Sequence, residues 1–526
     1  MSSSPYLHGW VADHAQHRPE APAVSTPTLR LGYGQLAERI EALAAHLEAE
    51  GVRAGARVLV AVPNSPATVV ASAAVQAAGA TPVEVNREWA PDVLAGIAAQ
   101  TGVRHAVIWG RDARAWGKFA ALHRLAHSWV IHGGALPPAM VADLGGGPAT
   151  WLREDGTLDP ALGTPPPGVQ RDVSPEVALI LYTSGSTGRP RGVIQTHRNV
   201  AANSRSIVQY LSLTAEDRAL LVLPLYYCYG RSVLQTHLLA GGSVHLDGRF
   251  AFPRTVLEAI GTEGCTGFAG VPLTFEIIRR QVDVSTLALP RLRYLTQAGG
   301  AMAPETIDWV RQAFAPARLF VMYGQTEATA RLSYLPPERA EEKRGAIGVP
   351  IPGVELAVVD EQARPLPVGE VGQLVARGEN VTPGYLDEPE ETAAILHDGW
   401  LWTGDLAVKD ADGFFFHRGR AKEILKIGGH RVSPIEIEQV VAEHPDVLQA
   451  AVVGLPDQLM GEVPAAFLVL RPERTLDEAS LRTFCRERMA AYRVPVRFEA
   501  VEALPRNEAG KLLRAELAKR VTGGAP

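Results

Sequence analysis

The sequence predicts an α/β protein with a large N-terminal domain of layered α/β sheets, a small β-rich lobe and a small C-terminal α+β domain. Helix-like and strand-like segments alternate through the first part of the chain, which is typical of a mostly parallel sheet covered by helices. Past Val354 short strands separated by turns follow one another, and from about Ala421 a further α+β pattern begins. We therefore expect two domains, residues 1–420 and 421–526.

Individual elements follow from periodicity and from the residues that end them. Four leucines and isoleucines spaced three or four apart predict a helix that stops at Gly51, and an alanine-rich segment predicts another from Ala67 to Ala78. Buried strands are predicted at 57–62, 177–181, 220–223, 294–296 and 319–322. Residues 133–174 are rich in glycine and proline and are expected to form a connection.

Composition excludes several classes of protein. The net charge of −6, from 51 basic and 57 acidic residues, argues against a nucleic-acid surface. The three cysteines, Cys228, Cys265 and Cys485, have no metal-ligand or disulfide spacing, so a cytoplasmic location is expected. The N-terminus lacks the pattern of a signal peptide, and no apolar run is long enough to span a bilayer.

A hydroxyl-rich glycine loop follows the predicted strand at 177–181. It reads Thr183-Ser184-Gly185-Ser186-Thr187-Gly188, with Arg191 just beyond. Glycines allow backbone N–H groups to converge, hydroxyls add donors, and the arginine adds charge, so the loop suits the phosphates of a nucleotide. Taken alone it is as often a plain loop, and it is not a P-loop, because G-x-x-x-x-G-K-[ST] is absent.

Four downstream segments also carry candidate functional residues. Tyr323-Gly324-Gln325-Thr326-Glu327 directly follows a predicted strand, where an aromatic ring could stack on a base and a carboxylate could hold Mg²⁺. Asp405 lies at a glycine turn and could bind a ribose diol or cap the turn. Ser433, Pro434 and Glu436 predict a capping box, preceded by Lys426 and paired glycines, and Lys511 lies on a loop near the C-terminus.

Together these segments resemble the adenylate-forming superfamily: acyl- and aryl-CoA synthetases, adenylation domains of peptide synthetases, and luciferases. The motifs occur in the family's order from Thr183 to Lys511 and so cover most of the chain. The resemblance implies a mobile C-terminal domain and a two-step reaction. A carboxylate attacks the α-phosphate of ATP to give acyl-AMP and pyrophosphate, and a thiol then displaces AMP.

The resemblance also implies a role for each matching residue. The loop from Thr183 to Gly192 would grip the β- and γ-phosphates, Thr326 would contact the α-phosphate, and Glu327 would hold Mg²⁺. Tyr323 would lie against the adenine opposite Gly299-Gly300-Ala301, while Asp405 and Arg420 would bind the ribose. Lys511 would stabilise charge as the acyl-phosphate bond forms. Rotation at a hinge, Lys422, would replace Lys511 with the strand at Lys426, whose Gly428 and Gly429 would border the thiol tunnel.

One departure concerns the glycine loop, where the family usually has lysine and this chain has Arg191. The positive charge is kept, but the planar guanidinium of arginine replaces the compact ammonium of lysine. We expect a changed affinity for ATP and no loss of activity.

The acid is expected to be a small carboxylic acid, aryl or small to medium acyl. Cys228 lies where amino-acid-activating relatives have an aspartate, and no carboxylate occurs between Pro224 and Leu246, so an α-amino acid is not expected. The predicted pocket residues are Tyr227, Cys228, Tyr229, Arg231, Val271, Gln297, Ala298 and Arg331. The tyrosines could instead be core residues, and Arg231 is more often the kind of arginine that forms a structural salt bridge.

The acceptor is most simply coenzyme A. The alternatives are the phosphopantetheine of a separate carrier protein, since the chain has no carrier domain, or an amine, which would make the enzyme an amide synthetase. A P-loop kinase or ATPase and a non-catalytic nucleotide sensor fit the motifs less well. We expect no nucleic-acid partner, and a monomer or homodimer.

Overall fold

The computed structural model describes residues 1–132, 149–158, 176–183, 190–506 and 512–521. The chain divides into two compact units. The first comprises 1–337, 350–355 and 377–401, and the second comprises 338–349, 356–376 and 402–526.

The described strands are, in chain order, β1 Pro22–Ser25, β2 Arg30–Gly32, β3 Arg57–Ala61, β4 Thr81–Glu84, β5 His105–Trp109, β6 His127–His132, β7 Ala149–Arg153, β8 Val177–Thr183, β9 Arg191–Thr196, β10 Arg218–Leu221, β11 Ser243–Leu246, β12 Gly267–Gly270, β13 Tyr294–Gln297, β14 Arg318–Tyr323, β15 Ser333–Leu335, β16 Val349–Pro350, β17 Val354–Val359, β18 Val371–Gly378, β19 Leu396–His397, β20 Trp400–Lys409, β21 Phe415–Arg420, β22 Leu425–Ile427, β23 His430–Val432, β24 Val447–Asp457, β25 Gly461–Leu470 and β26 Arg497–Ala500.

The described α-helices are α1 Leu7–His17, α2 Tyr33–Ala49, α3 Pro66–Ala77, α4 Pro91–Thr101, α5 Ala113–Leu122, α6 His197–Leu211, α7 Cys228–Ala240, α8 Pro253–Thr262, α9 Pro272–Gln281, α10 Pro304–Ala313, α11 Pro389–Ile395, α12 Pro434–Ala442, α13 Glu478–Arg486 and α14 Arg514–Val521. Several of these helices begin with proline, whose missing N–H costs nothing at the first helical position.

Two large sheets form the first unit. One has nine strands in the order β16-β15-β14-β13-β12-β10-β11-β1-β2, and the other has seven in the order β7-β6-β5-β3-β4-β8-β9. Strands β10 to β14 pair in parallel through β12 and β13, so their carboxyl ends lie along one edge. In open α/β sheets this edge is where ligands bind.

The main apolar core lies between these sheets and their helices. Its largest fully buried side chains include Trp10, Tyr33 and Trp129, and α3 is buried along nearly its whole length. Burying apolar surface at roughly 25 cal/mol per Å² is the dominant stabilising term for such a core.

Two five-stranded sheets follow in the chain. The first has the order β17-β18-β20-β19 with β21 paired to β20, and the second has the order β23-β22-β25-β24 with β26 paired to β25. The second sheet packs with α12 and α13 around its own core, which includes Ile437, Phe498 and Leu481. The prediction of layered α/β sheets followed by β-rich and α+β parts is confirmed.

The helices and strands predicted from periodicity are also confirmed, but the segment 133–174, predicted to be a connection, contains strand β7, which pairs in parallel with β6. Helix α2 buries Leu36, Ile40, Leu43 and Leu47, and Gly51 has a φ of +92°, the left-handed conformation that ends helices. The capping box at α12 was predicted wrongly. Ser433 is the N-cap residue but its Oγ makes no capping bond, and Glu436 instead pairs with Arg493 at 3.1 Å.

The boundary between the two predicted domains, residues 1–420 and 421–526, stays a prediction. Among the described helices, none is long and apolar enough to cross a membrane.

Candidate active site

Three adjacent parallel strands bring predicted pocket residues to one edge of the nine-stranded sheet. Strand β12 leads into Val271, the N-cap of α9; β13 ends at Gln297, followed by Ala298; and β14 ends at Tyr323. Gly324 follows at a close approach of backbones, because an added Cβ would lie 2.0 Å from the Ala330 carbonyl oxygen. Only glycine fits there, because any side chain would clash with this carbonyl.

A single 3₁₀ turn, Thr326–Ala328, carries the two residues predicted at the α-phosphate and the metal. The buried amide of Gln195 on β9 holds this turn, since its Nε2 donates to the carbonyl oxygens of both Thr326 and Thr329 at 3.2 Å. Thr329 has a φ of +67°, and its Oγ1 donates to the Asn380 carbonyl at 2.7 Å. Such a strained residue persists only where its surroundings fix it.

Glu327 is oriented by a tyrosine that the sequence did not single out. The Tyr385 hydroxyl donates to Glu327 Oε1 at 2.7 Å, and the Thr382 N–H donates to the Glu327 carbonyl at 2.8 Å. Burial, and then the Glu327 charge, raise the pKa of Tyr385, so its phenol stays protonated and remains a donor. This hydrogen bond involves one carboxylate oxygen, and the described residues provide no hydrogen bond to the other.

The strand pair β8–β9 flanks the predicted phosphate loop. Thr183 lies opposite Arg191 in this antiparallel pair, whereas Ser184, Gly185, Ser186, Thr187 and Gly188 lie outside the described residues. Arg191 pairs with Glu391 at 2.9 Å and Glu388 at 3.5 Å, and its guanidinium lies 5.5 Å from the centre of the Tyr385 ring. A planar, forked cation can make these contacts together, which a lysine cannot.

The N-terminus of α7 faces the Thr326 turn. Thr326 Oγ1 donates to Cys228 Sγ at 3.4 Å, and burial raises the pKa of the Cys228 thiol, which keeps it neutral. Tyr227 is the N-cap residue of α7, and its ring lies 4.6 Å from that of Tyr226. Tyr229 is buried, and its hydroxyl shares a 2.9 Å hydrogen bond with Thr296 on β13. Cys228, with Tyr229 next to it on α7, therefore packs against the turn that carries Thr326.

Arg231 lies one turn further along α7 and is engaged within the protein. It is 5% exposed and forms an ion pair with Glu84 on β4, which also accepts a 2.6 Å hydrogen bond from Ser72. Arg231 Nε donates to the Leu225 carbonyl at 3.2 Å. The structural salt bridge that the sequence left open is present, and it corrects the assignment of this guanidinium to the substrate.

Arg331 is buried as deeply, at 3% exposure, but has no carboxylate partner among the described residues. Its Nε donates to Met322 Sδ at 3.1 Å, its Nη1 donates to the Ala330 carbonyl at 3.3 Å, and its guanidinium lies 4.3 Å from the centre of the Tyr229 ring. The Arg331 carbonyl accepts from the side-chain amides of Asn203 at 3.0 Å and Asn380 at 2.9 Å.

The glycines predicted beside the adenine follow β13. Gly299 has a φ of +86°, and the Gly300 carbonyl accepts a 2.7 Å hydrogen bond from Gln297 Nε2; Ala301 comes next. The buried Gln297 amide thus fixes the path of this loop at the strand edge.

The predicted ribose residues meet within the second unit. Asp405 on β20 is directly opposite Arg420 on β21, and the Asp405 Oδ1 lies 3.1 Å from Arg420 Nε and 3.4 Å from His417 Nε2. The Asp405 side chain is almost fully buried, so its carboxylate has a fixed position.

The predicted hinge and thiol-tunnel residues also lie in the second unit. Lys422 is exposed on a 3₁₀ turn at Ala421–Glu423, and Lys426 is exposed on β22, where its backbone N–H donates to Glu462 at 2.6 Å. Gly428 and Gly429 have φ values of +55° and +83° and join β22 to β23. Lys511 lies outside the described residues.

Three supporting residues were missed by the sequence analysis: Gln195, Tyr385 and His417. Gln195 and His417 lie on strands at positions that carry no motif, so nothing local marks them. Tyr385 stands in Pro383-Gly384-Tyr385 before an acidic run, a turn signal that could have drawn attention to it.

The donor set suits a magnesium ion that arrives with a nucleotide. The described residues contain no cluster of three or more side chains able to hold a metal alone. Mg²⁺ bound with phosphates usually needs one or two protein carboxylates and keeps several waters, and Glu327 is a carboxylate that could serve as such a ligand.

Comparison with known proteins identifies the family. The model for AMP-binding enzymes matches residues 11–386, and that for the AMP-binding enzyme C-terminal domain matches 436–511. The chain is 33% identical over 518 residues to a feruloyl-CoA synthase of Amycolatopsis sp, covering 98% of this chain and 99% of the relative.

Two solved structures have the same fold. O-succinylbenzoate coenzyme A synthetase (MenE) from Bacillus subtilis, in complex with ATP and a magnesium ion, has a TM-score of 0.80 and 25% identity, covering 97% of this chain and 98% of that one. The amide bond synthetase McbA from Marinactinospora thermotolerans has a TM-score of 0.86 and 25% identity, covering 98% and 100%. The chain therefore belongs to the family of AMP-binding enzymes and is an AMP-forming ligase of carboxylic acids.

Proposed function

We propose that this enzyme converts a small carboxylic acid and ATP to acyl-AMP and pyrophosphate, and then passes the acyl group to coenzyme A. The observation that carries the proposal is the Thr326–Glu327 turn. It presents a hydroxyl and an oriented carboxylate at the carboxyl end of β14, next to Cys228 and Tyr229 at the start of α7.

In the first step a substrate carboxylate oxygen forms a bond to the α-phosphorus of ATP, and the bond to pyrophosphate breaks. Thr326 supplies a hydrogen-bond donor for the α-phosphate, and Glu327, held by Tyr385, supplies the protein ligand of Mg²⁺. The magnesium ion, when bound, neutralises phosphate charge. Positioning and charge stabilisation carry most of the catalysis in reactions of this kind.

Around ATP, Thr183 to Gly188 with Arg191 hold the outer phosphates. Tyr323 to Gln325 and Gly299 to Ala301 enclose the adenine. Asp405 and Arg420 bind the ribose. The solved structure of MenE in complex with ATP and a magnesium ion supports ATP as the nucleotide of this chain.

In the second step a thiol attacks the acyl carbon and AMP leaves. We propose that residues 421–526 form a lid that turns at Lys422, withdrawing Lys511 and bringing Lys426, Gly428 and Gly429 to the site. Two positive-φ glycines between β22 and β23 support a narrow passage there, because they present backbone without side chains.

The acid is aryl or small to medium acyl and not an α-amino acid. The start of α7 carries a neutral Cys228, and a substrate ammonium would have no carboxylate partner there. The free thiols of the three cysteines support a cytoplasmic location. A monomer or homodimer remains our expectation.

The first experiment measures exchange of labelled pyrophosphate into ATP with Mg²⁺ and a panel of acids. We expect exchange that depends on the acid, with AMP and pyrophosphate as products. Release of ADP instead would contradict the proposal. Adding coenzyme A, a phosphopantetheine-loaded carrier protein or an amine in separate reactions then identifies the acceptor, and formation of an amide alone would favour the chemistry named for McbA.

The second experiment separates the two half-reactions. Lys511→Ala is expected to lower acyl-AMP formation by about two orders of magnitude or more, as loss of a preorganised charge does. It should leave thioester formation from supplied acyl-AMP nearly unchanged, and Lys426→Ala should give the opposite pattern. Equal loss of both half-reactions in Lys511→Ala would argue against the hinge.

A further inference from the structure

Arg331 is a buried cation without a counter-ion in the part of the chain that the structure describes. Among the described residues its guanidinium contacts a thioether sulfur, a backbone carbonyl, the Tyr210 hydroxyl and the face of Tyr229, and no carboxylate. Arginine cannot shed its proton, so the cost of burial stays with the folded protein unless an anion arrives. Cation–π contact with Tyr229 offsets part of that cost.

This cation is close to the reacting groups. Tyr229, on which the guanidinium lies, follows Cys228, and Cys228 Sγ accepts a hydrogen bond from the Thr326 hydroxyl. The charge of Arg331 also acts on the Cys228 thiol, whose pKa it lowers against the larger effect of burial. Cys228 and Tyr229 thus connect Thr326, where we propose that the substrate carboxylate is activated, to the Arg331 guanidinium.

A small cavity lies beside Arg331. Its volume is about 20 Å³, enough for one water-sized group, and its lining includes Arg331, Met322, Tyr210, Tyr294, Thr296 and His237. A long hydrocarbon tail does not fit this volume, whereas one oxygen-bearing group does.

The other polar groups of the lining already have partners. His237 Nδ1 bonds the Val233 carbonyl at 2.8 Å, and its Nε2 bonds the Tyr294 hydroxyl at 2.9 Å. The Tyr210 hydroxyl donates to Met322 Sδ at 3.0 Å. Burial lowers the pKa of His237 and raises the pKa of Tyr210 to about 12, so both are neutral near pH 7. Arg331 is then the charged member of this lining.

We infer that Arg331 selects acids that carry a second anionic group, such as a distal carboxylate, at the end opposite the carboxylate that is activated. This inference rests on the proposed function and narrows its substrate class. The anion would replace the missing counter-ion, and an acid without it would leave the guanidinium as it is in the free enzyme.

The test uses acids in matched pairs that differ by the distal carboxylate. Suitable pairs are butyrate with succinate, and benzoate with each benzenedicarboxylate. The measurement is kcat/KM for acid-dependent pyrophosphate exchange. We expect the wild-type enzyme to prefer a diacid of suitable length by about a hundredfold, as expected when a substrate gains a charge-assisted hydrogen bond to a buried guanidinium.

Arg331→Met keeps the length of the side chain and removes its charge. It should abolish the preference, mainly by raising KM for the diacid, so that the variant uses the diacid and its matched monoacid about equally. Arg331→Lys should retain part of the preference, because it keeps the charge but loses the fork.

Arg231→Gln, with Glu84→Gln to remove its partner, is the matched control. It changes another buried arginine of the same unit and should not alter the preference in protein that is folded by circular dichroism.

The outcomes separate this inference from the function on which it rests. Acid-dependent exchange in which wild-type enzyme uses monoacids as well as diacids would overturn the inference and leave the function standing. The comparison of diacids with monoacids uses only the wild-type enzyme, so it tests the inference even where Arg331→Met does not fold. Absence of exchange with every acid of the panel would overturn the proposed function, and the inference with it.

Discussion

Two arginines of the first unit, Arg231 and Arg331, are buried to the same extent and differ in one respect. Arg231 pairs with Glu84, which Ser72 also contacts, so its charge is balanced inside the protein. Arg331 lies on an aromatic ring beside a small cavity, and no described residue gives it such a partner. Burial alone therefore does not distinguish a structural arginine from a recognising one, whereas the presence of a counter-ion does.

The largest expected effect is on the paired arginine. Arg231→Met leaves Glu84 buried and unpaired, so the free energy of unfolding should fall by about 3–5 kcal/mol. Adding Glu84→Gln should restore much of that loss, because no buried charge remains. Urea denaturation of the single and double variants measures both values. A loss below about 1 kcal/mol in the single variant would show that the Arg231–Glu84 pair contributes little to stability. The distinction drawn between Arg231 and Arg331 would then be wrong.

The buried side chain of His197 can lose its charge by releasing a proton, which the two buried arginines cannot do. His197 accepts a hydrogen bond from the Leu7 N–H at 3.4 Å, and burial, with a smaller effect of His8, lowers its pKa to about 4. The unfolded chain, with a pKa near 6.5, binds the proton first as the pH falls, so His197 lowers stability progressively between about pH 6.5 and pH 4.

That loss amounts to about 3 kcal/mol over the interval. His197→Gln should flatten the pH dependence of unfolding by this amount, whereas removing an arginine should not. An unchanged slope in the variant would contradict the assignment of a neutral histidine. Denaturant unfolding at pH values from 4 to 7 measures it.

The smallest expected effect concerns Arg191, which has counter-ions and still lies on the strand pair that flanks the predicted phosphate loop. By the rule drawn from Arg231 its main role is structural, and its proposed contact with the outer phosphates contributes little to the affinity for ATP. Arg191→Lys should then change KM for ATP by less than about tenfold, since lysine keeps the charge. A much larger rise in KM with unchanged stability would mean that a paired arginine can also serve the ligand.

Much of the fold could be predicted from the sequence because its signals are local. Periodic leucines predicted α2, and short apolar runs followed by turn residues predicted the parallel strands β8, β10, β13 and β14. The capping box failed because its prediction used sequence spacing alone. Glu436 has a cationic partner, Arg493, fifty-seven residues away, and this tertiary contact replaces the local one.

The candidate site was predictable where a motif surrounds the residue, as at Thr326, Glu327 and Asp405. The residues that hold these in place come from distant segments: Gln195 from β9, and Tyr385 from a loop after β18. No spacing along the chain encodes such contacts. The difference between Arg231 and Arg331 was equally hidden, because it depends on whether Glu84 reaches one or the other.

The two amide contacts to the Arg331 carbonyl have a consequence for engineering. Asn203 and Asn380 hold the backbone at this position through a group that every amino acid possesses. The side chain can therefore be exchanged while the main chain, and the nearby turn that carries Thr326 and Glu327, stay in register. The side chain at position 331 can therefore be varied on a fixed backbone. A library of substitutions there is a direct route to variants of this ligase that accept other acids.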